Sequence, residues 1–265
     1  MSETLSHSYA IDAVTTNGRT GRIWSKGEGR PIYWLASSPM LLRWTAAHDA
    51  FAKGAKLVVC SLPGFPGGTG HDTIFDHLSW CLAARDLLAA AGFQKGDTLM
   101  GNSSPGALAA DVAAIWPDWV GKLVLTTPFG IYDDAEPTRD MYALPPKQVP
   151  QILSEYPDRY RAQIAAPEGI EPVLWQITVI RGNEASARIL WPLGNTRVIE
   201  RLHRITARTL VLWGEADQIQ PHGYAERFAH AIGANASVVK LPGAGHLVEL
   251  DQPEAAAAAV LRFVG

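Results

Sequence analysis

The chain has only two cysteines in 265 residues, Cys60 and Cys81. Two are too few for a disulfide framework, and both stand among apolar residues, so buried free thiols are expected. It has no Lys/Arg cluster, and a net charge of −3 gives it no electrostatic footprint for nucleic acid. No apolar run approaches the roughly 18 residues that cross a bilayer. The opening Met1-Ser2-Glu3-Thr4-Leu5-Ser6-His7 lacks the basic region and the apolar stretch of a secretory signal. His48, His203, His222 and His230 show no ligand spacing with cysteines or carboxylates, and His71 and His77 read as surface or capping residues. The glycine-rich loop 64–70 is followed by no Lys-Ser/Thr pair and matches no dinucleotide fingerprint. No repeat is visible. These absences predict a soluble, cytoplasmic protein, monomer or homodimer, that acts on a small molecule without metal, organic cofactor, membrane or nucleic acid.

What is present is an alternation of strand and helix patterns. A hydrophobic fraction of 47% is ample for a core. Residues 8–25 read as a hairpin turned by Asn17-Gly18. Near-continuous apolar runs at 31–35, 56–62, 122–127 and 208–213 suit strands covered on both faces, as does the run before Ser103. Ser237–Leu241 reads as the next strand. Helical spacing predicts helices over 41–53, 72–91, 107–115, 224–232 and 253–264. Such alternation implies a mostly parallel sheet flanked by helices. From 130 to 195 the character changes to many prolines, short helix-like pieces and scattered aromatics. Ile152, Leu153, Tyr156, Tyr160, Leu174, Trp175 and Trp191 need something to pack against, so this stretch reads as an inserted helical cap. The core is then 1–129 with 196–265, and the cap 130–195.

The chemistry centres on Gly101-Asn102-Ser103-Ser104-Pro105-Gly106. A Gly-x-Ser turn between strand and helix lifts a hydroxyl nucleophile clear of a sheet. An ordinary helix start also uses Ser, Asn and an early proline, so the turn alone leaves both readings open. Two further loops follow the ends of buried strands: Gly214-Glu215-Ala216-Asp217 and Pro242-Gly243-Ala244-Gly245-His246. Open α/β sheets bind ligands at that edge. A serine hydroxyl needs a base, which an imidazole of pKa about 6.5 can be. The imidazole in turn needs a carboxylate to fix its tautomer. Ser103, His246 and Asp217 supply these types in the order Ser, Asp, His. Glu215, Asp133 or Asp134 could instead supply the acid.

These motifs resemble the α/β-hydrolase superfamily over nearly the whole chain. Leu210 to Asp217, Leu241 to His246 and Gln252-Pro253-Glu254 are similar to the C-terminal signature of its cap-bearing esterase and C–C hydrolase branches, and Pro63-Gly64-Phe65 to a turn they carry. The resemblance implies an α/β-hydrolase fold and a Ser103–His246–Asp217 triad. Serine at the apex argues against the dehalogenase and epoxide hydrolase branches, and Asn102 is reminiscent of C–C hydrolases. Two departures stand out. Ala36-Ser37 replaces the usual His-Gly, so that the N–H groups of Ser38 and Ser104 become the expected oxyanion donors, with the Ser37 or Ser38 hydroxyl as substitutes. Pro105 replaces a small residue and biases Ser104 away from helix.

Ser37, Phe65, Phe129, Trp175 and Trp191 are expected to line the substrate pocket. The expected activity is hydrolysis of a small to medium carboxylic ester or lactone through an acyl-enzyme. C–C hydrolysis of a diketone-like substrate, a cofactor-free lyase or perhydrolase, and a non-catalytic ligand-binding protein are the alternatives.

Overall fold

A computed structural model describes residues 9–190 and 195–265. The hairpin forms from β1 (Ala10–Thr16) and β2 (Arg19–Lys26), turned where Asn17 and Gly18 both take positive φ. Such a two-residue turn matches the twist of the strands it joins. β3 (Pro31–Leu35), β4 (Lys56–Cys60), β5 (Thr98–Asn102), β6 (Lys122–Thr126), β7 (Arg208–Gly214) and β8 (Ala236–Leu241) run parallel, and β2 lies antiparallel on β4. The sheet order is β1-β2-β4-β3-β5-β6-β7-β8.

Strand direction of travel reverses between β3 and β5, since the chain first steps outward to β4 and then returns past β3. Leu35 pairs with Gly101 there, so the carboxyl ends of β3 and β5 lie side by side. A crevice opens at such a switch point, outside the strand ends. The central strands β3 to β7 are buried because helices cover them: α1 (Ala46–Ala52) packs with α9 (Pro253–Val264), and α2 (His77–Ala90) with α3 (Ser103–Ile115). α7 (Tyr224–Ile232) packs on β7 and β8. α3 is central, with Ala107, Leu108, Ala109 and Ala110 fully enclosed. Its small side chains let it approach the sheet closely.

Several boundaries differ from the sequence pattern, each for a local reason. The helix expected over 41–53 is a 3-10 turn at Ser38–Leu41 followed, after a break, by α1, which Thr45 caps; the Thr45 N–H donates to His48 Nδ1 at 3.0 Å. The helix expected from 72 starts at His77, where the Asp76 carboxylate accepts the Ser79 N–H at 2.8 Å. α3 starts at Ser103, not Ala107, and Ser104 is helical despite the proline after it. Pro105 sits in the first turn, where the missing N–H leaves no helical bond unmade.

Between β6 and β7 the described residues form only helices and turns: α4 (Val149–Leu153), α5 (Pro157–Ile164), α6 (Pro172–Leu190) and short 3-10 segments. Gln163 Nε2 donates to Pro39 O at 2.6 Å, and His71 Nε2 lies 2.7 Å from Glu184 Oε2, so α5 and α6 are both tied to the sheet domain. α8 (Val248–Asp251), just after His246, had no counterpart in the sequence pattern.

Candidate active site

Ser103 has φ +55°, a left-handed backbone that a non-glycine residue takes at a cost of order 1–3 kcal/mol and that marks functional turns. The close fit around it explains Gly101. A Cβ there would stand 2.6 Å from Ala109 Cβ, so a side chain would force α3 off the strand. The chain thus goes from strand to helix without an intervening loop, and the Ser103 side chain stands at the carboxyl edge of β5.

His246 and Asp217 arrive from β8 and β7. Gly214 lets these two loops touch: a Cβ on it would lie 2.1 Å from the Gly245 carbonyl oxygen. His246 Nε2 is 3.0 Å from Ser103 Oγ, and His246 Nδ1 is 3.0 Å from Asp217 Oδ2. The other Asp217 oxygen accepts the N–H groups of Ile219 (2.8 Å) and Gln220 (3.1 Å), which fix the carboxylate plane. Thr127 Oγ1 donates to the His246 carbonyl at 2.8 Å, and the Phe129 ring meets the imidazole edge-on at 5.3 Å. His246 and Asp217 are buried, and Ser103 is 6% exposed. With a carboxylate on Nδ1, that nitrogen carries the proton and Nε2 is left to accept the serine hydroxyl's. Of the other acids weighed from sequence, Asp133 pairs with Arg227 at 2.8 Å and Glu215 is exposed.

Ser37 and Ser38 close the other side of the switch point. Asn102 anchors them: its Oδ1 accepts the Trp34 indole N–H (3.0 Å) and the Ser37 backbone N–H (2.8 Å), and its Nδ2 donates to Ser37 Oγ (2.9 Å). The Ser37 hydroxyl is thereby engaged with Asn102. The Ser104 backbone N–H lies in the first turn of α3, among the donors a helix leaves without internal partners. The Ser104 hydroxyl donates to Ser186 Oγ of α6 at 3.0 Å.

A cavity of about 460 Å³ opens from Ser103 beneath α4, α5 and α6. Leu144, Val149, Leu153, Ile164, Trp175 and Val179 make it mostly apolar, while Tyr142, Asn183 and Ser186 give it a polar strip. Burial pushes the Tyr160 phenol up to about 12 and raises that of Tyr142, whose hydroxyl meets Ser186. No charged side chain lines the cavity among the described residues. Of the pocket residues expected from sequence, Ser37 and Trp175 line it. Phe65 and Phe129 do not: Phe65 is enclosed in the core, and Phe129 backs the imidazole instead. Trp191 lies outside the described residues.

A second cluster has no counterpart in the sequence pattern. His77, Cys81 and Asp111 bring ligand-type atoms within 4.8 Å of one another. Asp111 is, however, held by Arg201 through two bonds (2.5 and 3.1 Å) and by His77 Nε2 at 2.6 Å. The guanidinium occupies the carboxylate, and a cation there would meet its charge, so the cluster reads as an ion pair joining α2, α3 and the turn before β7. His77, half-buried at the first residue of α2, is thus paired with the buried Asp111, and His71 likewise bonds Glu184.

The model of the alpha/beta hydrolase family matches residues 18–259. The chain belongs to this family. Solved structures with the same fold include a 2-hydroxy-6-oxo-6-phenylhexa-2,4-dienoate hydrolase from Rhodococcus sp. strain RHA1, at 17% identity and a TM-score of 0.77, covering 97% of this chain and 99% of that one. Naproxen esterase from Bacillus subtilis matches at 15% identity and 0.73, covering 97% and 92%. A bacterial membrane phospholipase A matches at 21% identity and 0.73, covering 97% and 86%. No curated protein matches by sequence. At these identities the likeness is one of fold, and the hydrolase's chemistry has to be argued from its own residues. No helix among those described is long and apolar enough to cross a membrane.

Proposed function

We propose that this hydrolase cleaves uncharged, largely apolar carboxylic esters or lactones through an acyl-enzyme on Ser103. The observation that carries the reading is the Ser103–His246–Asp217 chain of 3.0 Å contacts opening into a cavity without charge. Ser103 Oγ attacks the carbonyl while His246 Nε2 takes its proton, and Asp217 stabilises the imidazolium. The developing oxyanion meets the N–H groups of Ser104 and Ser38; losing one such donor costs about 10²–10³ in rate. His246 then returns its proton to the leaving alcohol and activates the water that frees the acid. The helical segment 130–195 acts as the cap that sets substrate shape.

The lining supports esters over the C–C hydrolase alternative. The substrate named for the Rhodococcus structure is a dienoate, which carries a carboxylate. Burying that charge calls for a cation or several donors. Among the described residues the cavity is lined by no Lys, Arg or His, and its donors, such as Tyr142, Asn183 and Ser186, are neutral, which favours an uncharged substrate. A matched pair of chromogenic esters, butyrate and hemisuccinate, tests this. The neutral ester is expected to be cleaved at least tenfold more efficiently, with activity abolished in Ser103→Ala. A preference for the anionic ester, or turnover only of a diketone acid, would overturn the assignment.

A further inference from the structure

α6 turns a face of mostly small side chains toward the sheet domain. Gly182, Ala185, Ser186 and Ile189 are buried at the i, i+3, i+4, i+7 spacing of one helical face. That helix packs on the 3-10 turn at Ser38–Leu41 and on α3. Two of its positions meet the two residues proposed above as oxyanion donors.

Gly182 stands against Ser38. A Cβ on Gly182 would lie 2.1 Å from Ser38 Oγ, 3.0 Å from Ser38 Cβ and 3.1 Å from Pro66 Cδ, all inside van der Waals contact. Glycine is a poor helix former, and this one lies within α6 at an ordinary negative φ, so backbone freedom does not account for it. The close seat does: without a side chain, α6 drops into the notch between the loops that follow β3 and β4. Pro66 is fixed from below, since its carbonyl accepts the Ser61 hydroxyl at 2.7 Å. Ser186 lies four residues on and projects from the same face. It accepts the Ser104 hydroxyl at 3.0 Å, and both serines are buried. Between them in sequence, Glu184 meets His71 Nε2 at 2.7 Å and ties the helix to the loop beyond Pro66.

We propose that α6 braces the oxyanion site, with Gly182 and Ser186 as positioning residues that set the spacing between the N–H groups of Ser38 and Ser104. These two serines follow different strands, β3 and β5, and one helix touches both. Gly182 acts through Ser38, and Ser186 through Ser104. The cap thereby takes part in the chemistry besides shaping the substrate. The inference rests on the proposed oxyanion role of the two N–H groups.

Gly182→Ala is the first test. Its methyl turns Ser38 aside or lifts α6 off Ser104, and a misplacement of about 1 Å can cost about 10²-fold in rate. With the neutral butyrate ester, kcat is expected to fall about tenfold or more while KM changes less than threefold, because the donors act mainly in the transition state. Affinity for a trifluoromethyl ketone, to which Ser103 adds to give a stable tetrahedral oxyanion, should fall in step with kcat. Ser38→Gly keeps the backbone N–H and removes the atoms the methyl meets first. The penalty of Gly182→Ala should therefore shrink at least threefold in the Ser38→Gly background. Arg181→Ala, on an exposed position of the same helix, should leave kcat and KM unchanged.

Should Gly182→Ala fold poorly, Ser186→Ala carries the same comparison. It strands the buried Ser104 hydroxyl and should lower kcat severalfold. That loss should vanish in a Ser104→Ala background, where the N–H remains and the hydroxyl is gone. A lowered melting temperature with kcat and ketone affinity intact overturns the brace. So does a change in KM alone, a penalty that ignores the Ser38 or Ser104 background, or an equal loss in Arg181→Ala. Each of these leaves the serine-hydrolase reading standing. Wild type that neither cleaves the ester nor binds the ketone refutes that reading, and the brace with it.

Discussion

Asn102 and Ser37 are joined by two hydrogen bonds, 65 residues apart in sequence: the Ser37 N–H donates to Asn102 Oδ1 at 2.8 Å and Asn102 Nδ2 donates to Ser37 Oγ at 2.9 Å. The residue before Ser103 therefore holds the loop that carries Ser38, proposed above as the second oxyanion donor. Truncating it in Asn102→Ala strands the buried indole N–H of Trp34 and the N–H of Ser37, each at about 1–3 kcal/mol. We expect a clear drop in melting temperature together with a kcat loss of about tenfold or more at little change in KM, because an oxyanion donor acts mainly in the transition state. A loss of stability with kcat intact would show that the loop does not depend on this anchor.

Asp217→Asn tests the orientation of the base. The amide can present its NH₂ to Nδ1 and turn the imidazole to the wrong tautomer, while its size preserves the packing. A loss of about 10³–10⁴ in kcat at an unchanged melting temperature is expected on the precedent of such triads. A loss below tenfold would point to another carboxylate.

Gly214→Ala asks whether the two loops must touch. The added methyl would meet the Gly245 carbonyl oxygen at 2.1 Å, and backbone on both sides leaves little room to yield. Overpacking of this kind costs about 1–3 kcal/mol, and any relief separates His246 from Asp217. Both stability and kcat should fall. A variant with wild-type stability and rate would show that the loops have slack.

Much of this arrangement was legible in the sequence, for a physical reason. Buried parallel strands read as short apolar runs, and a polar residue just past each run must lie at the carboxyl edge. Ser103, Asp217 and His246 could thus be assigned to one rim without any knowledge of distance. What stayed hidden depends on contacts remote in sequence. Asn102 looks like a helix cap until Trp34 and Ser37 fold onto it, and Asp111 like a stray acid in an alanine helix until Arg201 reaches it. Phe65 and Phe129 were placed in the pocket on aromatic character alone, which does not say which face a ring turns to. The segment 130–195 has no clear period because proline breaks it into short helices whose cavity-facing residues follow no common spacing.

His48 gives the fold a pH dependence. It is fully buried against Trp34, and burial lowers its imidazole from the ordinary value to about 3. The folded protein cannot take the proton that the unfolded chain accepts below about pH 6.5, so stability present above that pH is lost as pH falls toward 3. By pH 5 this amounts to about 2 kcal/mol relative to neutral pH. His48→Gln keeps an acceptor for the Thr45 N–H and removes the titration. Its stability relative to wild type should improve from pH 7 to pH 5 in urea or thermal unfolding. A fixed difference across that range would contradict the burial of an uncharged imidazole.

The central claim is that Ser103 is the activated hydroxyl. Mass spectrometry of the intact protein after exposure to a fluorophosphonate tests it most directly, with peptide mapping of the adduct and Ser103→Ala and His246→Ala alongside. One adduct per chain is predicted, on the peptide that contains Ser103, absent from Ser103→Ala and slowed at least a hundredfold in His246→Ala. An adduct at another residue, or none on wild type under conditions that label ordinary serine esterases, would contradict the account.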